Sequence, residues 1–406
     1  MLSAFDPKMN PRLASLQPYP FEKLSALIQH TIPDQSLTPL ALSIGEPRHD
    51  APRFLRDEAL AHFDSVSSYP TTRGSQALRR VIAQWLGRRF GLKTVDPERH
   101  VLGASGTREA LFSVVQTAVD AGGSPRPVVI LPNPFYQIYE GAALLAGAEP
   151  YYINTGADSG YRMDFASIPP EILRRTRLMF ICSPGNPTGT VLSATDLMQI
   201  IDLAERYDFL IASDECYSEI YFDESAAPPG LLHAAEAHGV PDFRRCVVFH
   251  SLSKRSNLPG LRSGFVAGDG EFLRAFHSYR TYHGAAMSSL AQAISIRAWS
   301  DETHVRDNRD LYRRKFSEAI DILGPVMNAR RPDAGFYLWL ETGIDDESFA
   351  RGLYERENVL VLPGSFLSRE AHGTDPGRGH VRVALVASPE DCREACRRIA
   401  RYATTL

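Results

Sequence analysis

The sequence predicts an α/β fold in which a large domain is built on a mostly parallel β-sheet. From about residue 65 to about residue 290, short apolar segments alternate with segments of helical periodicity. That alternation is typical of parallel sheets whose two faces are covered by helices. A long helical region and a few strands follow, which predicts a smaller α+β domain. The predicted boundaries are 1–45 for an N-terminal arm and part of the small domain, 46–295 for the large domain, and 296–406 for the small domain.

Short apolar runs predict the strands, and apolar residues spaced three and four apart predict the helices. Strands are predicted at 40–45, 101–104, 128–131, 149–153, 178–181, 209–212, 247–249, 336–340, 359–362 and 381–386. Helices are predicted at 22–29, 53–63, 75–90, from 105 onward, 136–146, 193–207, within 285–323, at 346–357 and from 389 onward. Ser193 and Asp196 have the spacing of a capping box, and Ser388 before Pro389 has the pattern of a helix start.

Composition excludes several classes of protein. The 406 residues are 44% hydrophobic and 23% charged, which is typical of a soluble globular enzyme. A net charge of -4 gives no reason to expect nucleic acid as a partner. No apolar run has the length of a membrane span and the first residues lack the core of a signal peptide, so we expect a cytoplasmic protein. The five cysteines are an odd number without zinc-type spacing, so we expect no metal site and a reducing compartment.

One lysine stands just after a predicted buried strand. Lysine is scarce in this chain, so Lys254 is poorly explained as a solubilising charge. Ser251 and Ser253 flank it, and Arg262 follows eight residues later. An amine in a partly dry site has a lowered pKa and condenses with a carbonyl group, while two serines and an arginine can hold a phosphate. The segment therefore indicates covalently bound pyridoxal 5'-phosphate; the alternative is an ordinary loop lysine beside turn serines.

Polar residues also follow the other strands of the predicted sheet. Parallel sheets bind ligands at the carboxyl ends of their strands, so we expect these residues to lie near Lys254. In chain order they are Ser105, Gly106 and Thr107, then 133–136, 183–189 and 214–217.

Three of these residues are candidates for contact with the cofactor's ring. A buried carboxylate keeps the ring nitrogen protonated, and Asp214 at a strand end is the candidate, with a turn cap as its alternative role. Asn186 and Tyr217 can donate hydrogen bonds to the phenolic oxygen. Asn186 also lies in an ordinary turn sequence, and a lone tyrosine is more often a packing residue.

The cofactor's phosphate needs hydrogen-bond donors and positive charge. The start of a helix supplies free N–H groups, and an arginine supplies a planar pair of donors. The residues predicted to bind the phosphate are Ser105, Gly106, Thr107, Ser251, Ser253 and Arg262. Tyr136 can stack on the ring face, or else it belongs to the core.

Amino-acid substrates carry an α-carboxylate that a bidentate arginine orients best. Arg382 lies between His380 and an apolar run at 383–386, at the edge of a segment that we predict to be buried. A surface position for Arg382 remains the alternative.

Taken together, the motifs resemble those of the fold-type I pyridoxal-phosphate aminotransferases of class I/II, over nearly the whole chain. The matching motifs are Ser-Gly-Thr-Arg-Glu-Ala-Leu at 105–111, Pro-Gly-Asn-Pro-Thr-Gly at 184–189, Asp-Glu-Cys-Tyr at 214–217, Ser-Leu-Ser-Lys at 251–254 with Arg262, and Arg382. Singly each motif is weak, but their order and spacing together are specific. The resemblance implies a seven-stranded sheet in the large domain.

The resemblance also implies roles for residues and for a partner. Lys254 would bind the cofactor covalently and move the proton, Asp214 would face the pyridine nitrogen, and Arg382 would bind the substrate carboxylate. Asn186 and Tyr217 would contact the phenolic oxygen. The family pattern implies a homodimer with active sites at the subunit interface, in which Tyr69 reaches the phosphate in the neighbouring subunit. Gly45 would lie beside the substrate carboxylate.

Within the family, the segments 16–24, 42–47 and 69–74 resemble the proteobacterial succinyldiaminopimelate aminotransferases of lysine biosynthesis. Those enzymes pass an amino group between glutamate and N-succinyl-2-amino-6-oxopimelate. Because both substrates carry an anion at the far end, we expect Arg48 or Arg73 to meet the distal carboxylate.

Other functions remain open at the level of sequence. Another class I/II aminotransferase, or a carbon–sulfur β-lyase of the same fold, would use the same cofactor motifs. A transcription regulator built on this domain would need a DNA-binding domain, and only about 40 residues precede Gly45. A nicotinamide-dependent dehydrogenase would need Gly-x-Gly-x-x-Gly after the first strand, and the sequence lacks it there.

Overall fold

The computed structural model describes residues 9–406 and contains three β-sheets. Residues 1–8, where the sequence lacks a signal-peptide core, lie outside this range. The strands are β1 Leu40–Ala41, β2 Val101–Ala104, β3 Val128–Asn133, β4 Glu149–Asn154, β5 Thr176–Cys182, β6 Leu210–Asp214, β7 Cys246–Ser251, β8 Gly264–Gly268, β9 Tyr337–Glu341, β10 Val359–Leu360, β11 Leu362–Pro363 and β12 His380–Ala384.

Helices cover the sheets and connect them. They are α1 Pro20–Ile28, α2 Phe54–Ala61, α3 Gln76–Phe90, α4 Thr107–Ala118, α5 Ile138–Leu145, α6 Pro170–Arg175, α7 Ala194–Tyr207, α8 Leu231–Ala237, α9 Leu252–Arg255, α10 Gly270–His283, α11 Ser289–Trp299, α12 Thr303–Met327, α13 Asp346–Glu357 and α14 Pro389–Ala403. None of the described helices combines the length and the apolar character needed to cross a membrane.

The main sheet has seven strands in the order β2-β8-β7-β6-β5-β3-β4. All neighbouring pairs from β7 to β4 are parallel, and β8 is antiparallel to both β2 and β7. Two hydrophobic cores cover its two faces, one around Trp85 and Trp299 and the other around Tyr139 and Phe180. The predicted α/β class and the mostly parallel seven-stranded sheet are confirmed.

Two smaller sheets join the beginning of the chain to its end. β1 pairs in parallel with β10, and β12 lies between β11 and β9 in an antiparallel sheet. A separate core contains Leu40 and Leu42 from the N-terminal segment together with Phe316, Phe349 and Ile399. The N-terminal segment therefore packs with the last third of the chain, and the boundaries at 45 and 295 stay predictions.

Local structure differs from the sequence expectation in several places. The helical region 285–323 contains two helices, since α11 ends at Trp299 and α12 begins at Thr303; between them the Asp301 carboxylate accepts a hydrogen bond from the His304 backbone N–H. Strand β8 and helices α6, α8, α9 and α10 were not predicted. β8 is only five residues long and is bounded by Gly264 and Gly268, which have the appearance of loop residues in the sequence.

Candidate active site

Lys254 lies where the carboxyl end of β7 enters the short helix α9. Its ammonium donates a hydrogen bond of 2.5 Å to the Gly45 carbonyl. Burial, with a smaller contribution from the nearby Arg382, lowers the pKa of Lys254 to about 8, although Cys216, Glu46 and Asp214 act in the opposite direction. The Lys254 ammonium therefore loses its proton much more readily than the ammonium of an exposed lysine.

A cavity of about 550 Å³ opens in front of Lys254. It lies at the carboxyl ends of the parallel strands, where the sequence predicts the site. Eleven residues that the sequence analysis selected line it: Gly45, Thr107, Tyr136, Asn186, Asp214, Tyr217, Ser251, Ser253, Lys254, Arg262 and Arg382.

Asp214 ends strand β6 at the bottom of the cavity and is buried. The Tyr139 hydroxyl donates to its Oδ2 at 2.7 Å, and the Cys216 backbone N–H donates to its Oδ1 at 3.2 Å. Burial raises the pKa of Asp214, and the hydrogen bonds from Cys216 and Tyr139 act in the opposite direction by stabilising the carboxylate. Tyr139 is itself fixed by stacking on Phe180, with 4.4 Å between the ring centroids.

Arg382 reaches the cavity from strand β12 and is 4% exposed. Its Nη1 donates to the Asn186 side-chain oxygen at 2.9 Å, and its Nη2 donates to the Ser43 carbonyl at 2.8 Å. Its buried Nε has no hydrogen-bond partner among the described residues. A buried cation with an unused donor, facing a cavity, is suited to an anionic ligand.

Tyr337 packs over Gly45 and connects the two sides of the site. Its hydroxyl lies 3.0 Å from the Tyr217 hydroxyl, and the Arg382 guanidinium lies 4.4 Å from its ring centroid. A Cβ atom at Gly45 would lie 1.8 Å from the Tyr337 hydroxyl, so only glycine fits there. The close approach allowed by Gly45 places its carbonyl on Lys254.

The residues predicted to bind the phosphate lie around the N-terminus of α4. Gly106 has a φ of 83° as the cap of this helix, and a Cβ atom there would lie 2.2 Å from Nη2 of Arg262. The Ser251 hydroxyl accepts a hydrogen bond from the Ser253 backbone at 3.0 Å, and both serines line the cavity. A helix start, two serines and an arginine brought together over a glycine fit a phosphate. With the amine of Lys254 and the buried carboxylate of Asp214, the residues present fit pyridoxal 5'-phosphate.

Five residues that the sequence analysis selected do not line the cavity. Ser105 and Gly106 lie beside it at the start of α4. Tyr69 is fully exposed, Arg48 is exposed, and Arg73 is half-buried with its Nε unpartnered among the described residues. Within one chain, Tyr69, Arg48 and Arg73 are therefore not part of the cavity wall, and their roles stay predictions.

The structure adds residues that sequence reasoning missed. Tyr139, Tyr337 and Cys216 support the selected residues, and Arg108 lines the cavity with its Nε donating to the Tyr136 hydroxyl at 2.7 Å. Arg108 is the one cationic residue in the motif at 105–111, so the sequence did contain a signal that could have identified it. Tyr139 and Tyr337 carried none, because each is an aromatic residue in an apolar run.

Comparison with known proteins shows the family to which the chain belongs. The family model described as aminotransferase class I and II matches residues 38–399. An aminotransferase structure from Neisseria meningitidis Z2491 is 47% identical, with a TM-score of 0.93, and the match covers 97% of this chain and 99% of that one. The structure of aminotransferase AspB from Helicobacter pylori 26695 is 34% identical, with a TM-score of 0.88 over 96% and 100% of the two chains.

Curated relatives match over the same extent. The LL-diaminopimelate aminotransferase of Desulforudis audaxviator is 32% identical over 394 residues, which cover 96% of each chain. The LL-diaminopimelate aminotransferase of Moorella thermoacetica is 30% identical over 399 residues, covering 96% of this chain and 97% of that enzyme. The chain belongs to the class I and II aminotransferases and is a pyridoxal 5'-phosphate-dependent aminotransferase.

Proposed function

We propose that this aminotransferase acts in the synthesis of diaminopimelate and lysine, with N-succinyl-2-amino-6-oxopimelate and glutamate as its substrates. The observation that carries the proposal is the charge of the cavity wall, where Arg382 and Arg108 accompany Lys254 and Arg262. Both substrates have a carboxylate at each end and no free distal ammonium. Two arginines on different elements suit such a substrate. The resemblance of segments 16–24, 42–47 and 69–74 points to the same substrate.

A second candidate is transamination of free LL-diaminopimelate, the activity named for two relatives above. Glu46 is exposed and lines the same cavity, so it is placed to pair with a distal ammonium. The succinyl group removes that ammonium by turning it into an amide. The two candidates therefore differ in whether Glu46 or an arginine holds the far end of the substrate.

Each residue of the site has a proposed role in the reaction. Bound pyridoxal phosphate supplies a carbonyl that links to amines and a ring that withdraws electrons from the substrate α-carbon. Lys254 would hold the cofactor between turnovers and would carry the α-proton, which its lowered pKa favours near neutral pH. Arg382 holds the α-carboxylate and so fixes which bond at the α-carbon faces Lys254.

The remaining residues would hold the cofactor. The Asp214 carboxylate would hold the proton on the ring nitrogen, and Asn186 and Tyr217 would donate to the phenolic oxygen. Arg262, Ser251, Ser253 and the start of α4 would bind the phosphate, and Tyr136 would pack on the ring. Because the substrate would lie inside the cavity, water is excluded from around the reacting α-carbon.

A substrate panel tests the proposed function directly. Purified enzyme is assayed for 2-oxoglutarate formation from glutamate with N-succinyl-2-amino-6-oxopimelate, and in the reverse direction with LL-diaminopimelate, alanine and aspartate as amino donors. We expect the succinylated compound to have the highest kcat/KM, and Lys254→Ala to abolish turnover with every pair. A higher kcat/KM for free LL-diaminopimelate would select the second candidate, and turnover by Lys254→Ala would overturn the role of Lys254.

Removal of the Tyr139 hydroxyl should affect ionisation of Asp214. In Tyr139→Phe the carboxylate loses a donor that lowers its pKa, so that pKa rises and a smaller fraction of Asp214 is ionised at a given pH. We expect kcat to fall about tenfold and the acid limb of its pH profile to move to higher pH. Tyr152→Phe is the matched control, since Tyr152 donates at 2.6 Å to Glu140 instead. An unchanged acid limb in Tyr139→Phe would contradict this role.

The distal carboxylate can be assigned by comparing arginine variants. We expect Arg108→Gln to raise the KM for the succinylated substrate and for 2-oxoglutarate about tenfold, while the KM for alanine stays the same because alanine has no distal carboxylate. The double variant Arg48→Ala/Arg73→Ala is measured beside it. If only the double variant raises these KM values, the distal carboxylate binds at Arg48 or Arg73, as the sequence predicts.

We propose a homodimer, because the segment 60–69 exposes apolar side chains that a partner would cover. Leu60 is 70% exposed, Phe63 61% and Tyr69 102%. Sedimentation should give a mass about twice the 45.0 kDa of one chain. The double variant Leu60→Asp/Phe63→Asp should lower that mass. The control is Ile344→Asp, which changes an exposed apolar residue between β9 and α13 and should leave the mass unchanged. A monomeric mass for the parent enzyme would overturn the proposal.

A further inference from the structure

A buried polar face of α12 lies behind the active site. Asn308, Tyr312 and Lys315 are spaced four and three residues apart and are all at most 3% exposed. Lys315 forms no ion pair with a carboxylate among the described residues; its ammonium donates to the Leu385 carbonyl at 3.1 Å and contacts His49 Nε2 at 2.6 Å. An ammonium buried without a counter-ion destabilises a folded protein, so packing alone does not explain it.

The donors and acceptors around His49 fix its tautomer. The Lys315 ammonium has only donors, so His49 Nε2 accepts, and His49 Nδ1 then carries the proton and donates to the Asn308 side-chain oxygen at 2.8 Å. Burial and the charge of Lys315 lower the pKa of His49, in agreement with a neutral ring.

The path continues to the catalytic lysine. The Asn308 amide nitrogen donates to the Lys254 backbone carbonyl at 3.4 Å, and the Asn257 amide donates to the Asn308 oxygen at 3.1 Å. The segment 45–49 therefore contacts Lys254 twice. Its Gly45 carbonyl accepts from the Lys254 ammonium, and its His49 ring reaches the Lys254 backbone through Asn308.

We propose that Lys315, His49 and Asn308 are positioning residues that hold the Lys254 backbone and the Gly45 carbonyl in fixed relation. None of the three lines the cavity, so they do not touch substrate. We call these three residues the relay. Loss of the relay lets Lys254 and Gly45 move apart, which slows proton transfer and leaves substrate binding unchanged. This inference rests on the proposed role of Lys254 in the reaction.

The first measurement separates kcat from KM in the holoenzyme. We expect Lys315→Met and His49→Leu each to lower kcat about tenfold with KM unchanged for both substrates. His49→Gln should recover most of the loss, because its amide offers an acceptor to Lys315 and a donor to Asn308. Tyr312→Phe is the matched control: its hydroxyl is buried in the same cluster and has no hydrogen-bond partner among the described residues, so kcat should not change.

The second measurement needs neither cofactor nor substrate. Acetylation of Lys254 in the cofactor-free chain, followed by mass spectrometry across pH, reports the amine's pKa. In Lys315→Met and His49→Leu we expect faster acetylation at neutral pH, because an ammonium that loses the Gly45 carbonyl gives up its proton more readily.

Three outcomes would overturn the proposal: kcat within twofold of the parent together with a lowered Tm, equal losses in His49→Gln and His49→Leu, or Lys254 acetylation unchanged in both relay variants. Failure of the proposed function looks different. It would appear as activity in Lys254→Ala, and the acetylation profiles would still show whether the relay holds Lys254.

Discussion

The active site depends on a hydrogen bond between two distant parts of the chain, from the Lys254 ammonium to the Gly45 carbonyl. It links the end of strand β7 in the main sheet to the segment that follows β1, which packs with the C-terminal part of the chain. Tyr337 and Arg382 enter the cavity from that same part. The site therefore forms only when both parts are folded and in contact, and this requirement couples catalysis to their relative position.

The parallel sheet explains why the other groups gather around this bond. Adjacent strands β6 and β7 pair in register, with Asp214 opposite Phe249, so the polar residues just beyond both strands emerge at the same edge. Cys182 of β5 lies opposite Asp214 in the same way, which brings the turn containing Asn186 to that edge. Helix α4 starts at this edge too, and Gly106 lets Arg262 approach its first turn. A single architectural feature thus places an amine, a carboxylate and the N-terminus of a helix around one cavity.

Sequence reasoning recovered the parts of the site that are local in the chain. Lys254, Asp214 and the 105–107 turn follow apolar strands, and that pattern alone put them at one sheet edge. It missed the supporting residues, because their partners are far away in sequence: Tyr139 reaches Asp214 across 75 positions. Strand β8 was missed for a steric reason. A Cβ at Gly268 would lie 2.0 Å from the Cys246 carbonyl, so glycines that resemble a loop in the sequence are what allow β8 to pair closely with β7.

Burial of charged groups near the site opposes folding, because it removes their hydration. Asp214 has its pKa raised by burial, Lys254 has its pKa lowered, and Arg382 keeps one buried nitrogen unpartnered among residues 9–406. An apolar core of the same volume would be at least as stable. A ligand anion bound at Arg382 would give its Nε a hydrogen-bond partner, so binding should stabilise the fold. The same argument applies to Lys315, whose hydrogen-bond partners His49 and Leu385 are neutral and which is linked to Lys254 through His49 and Asn308.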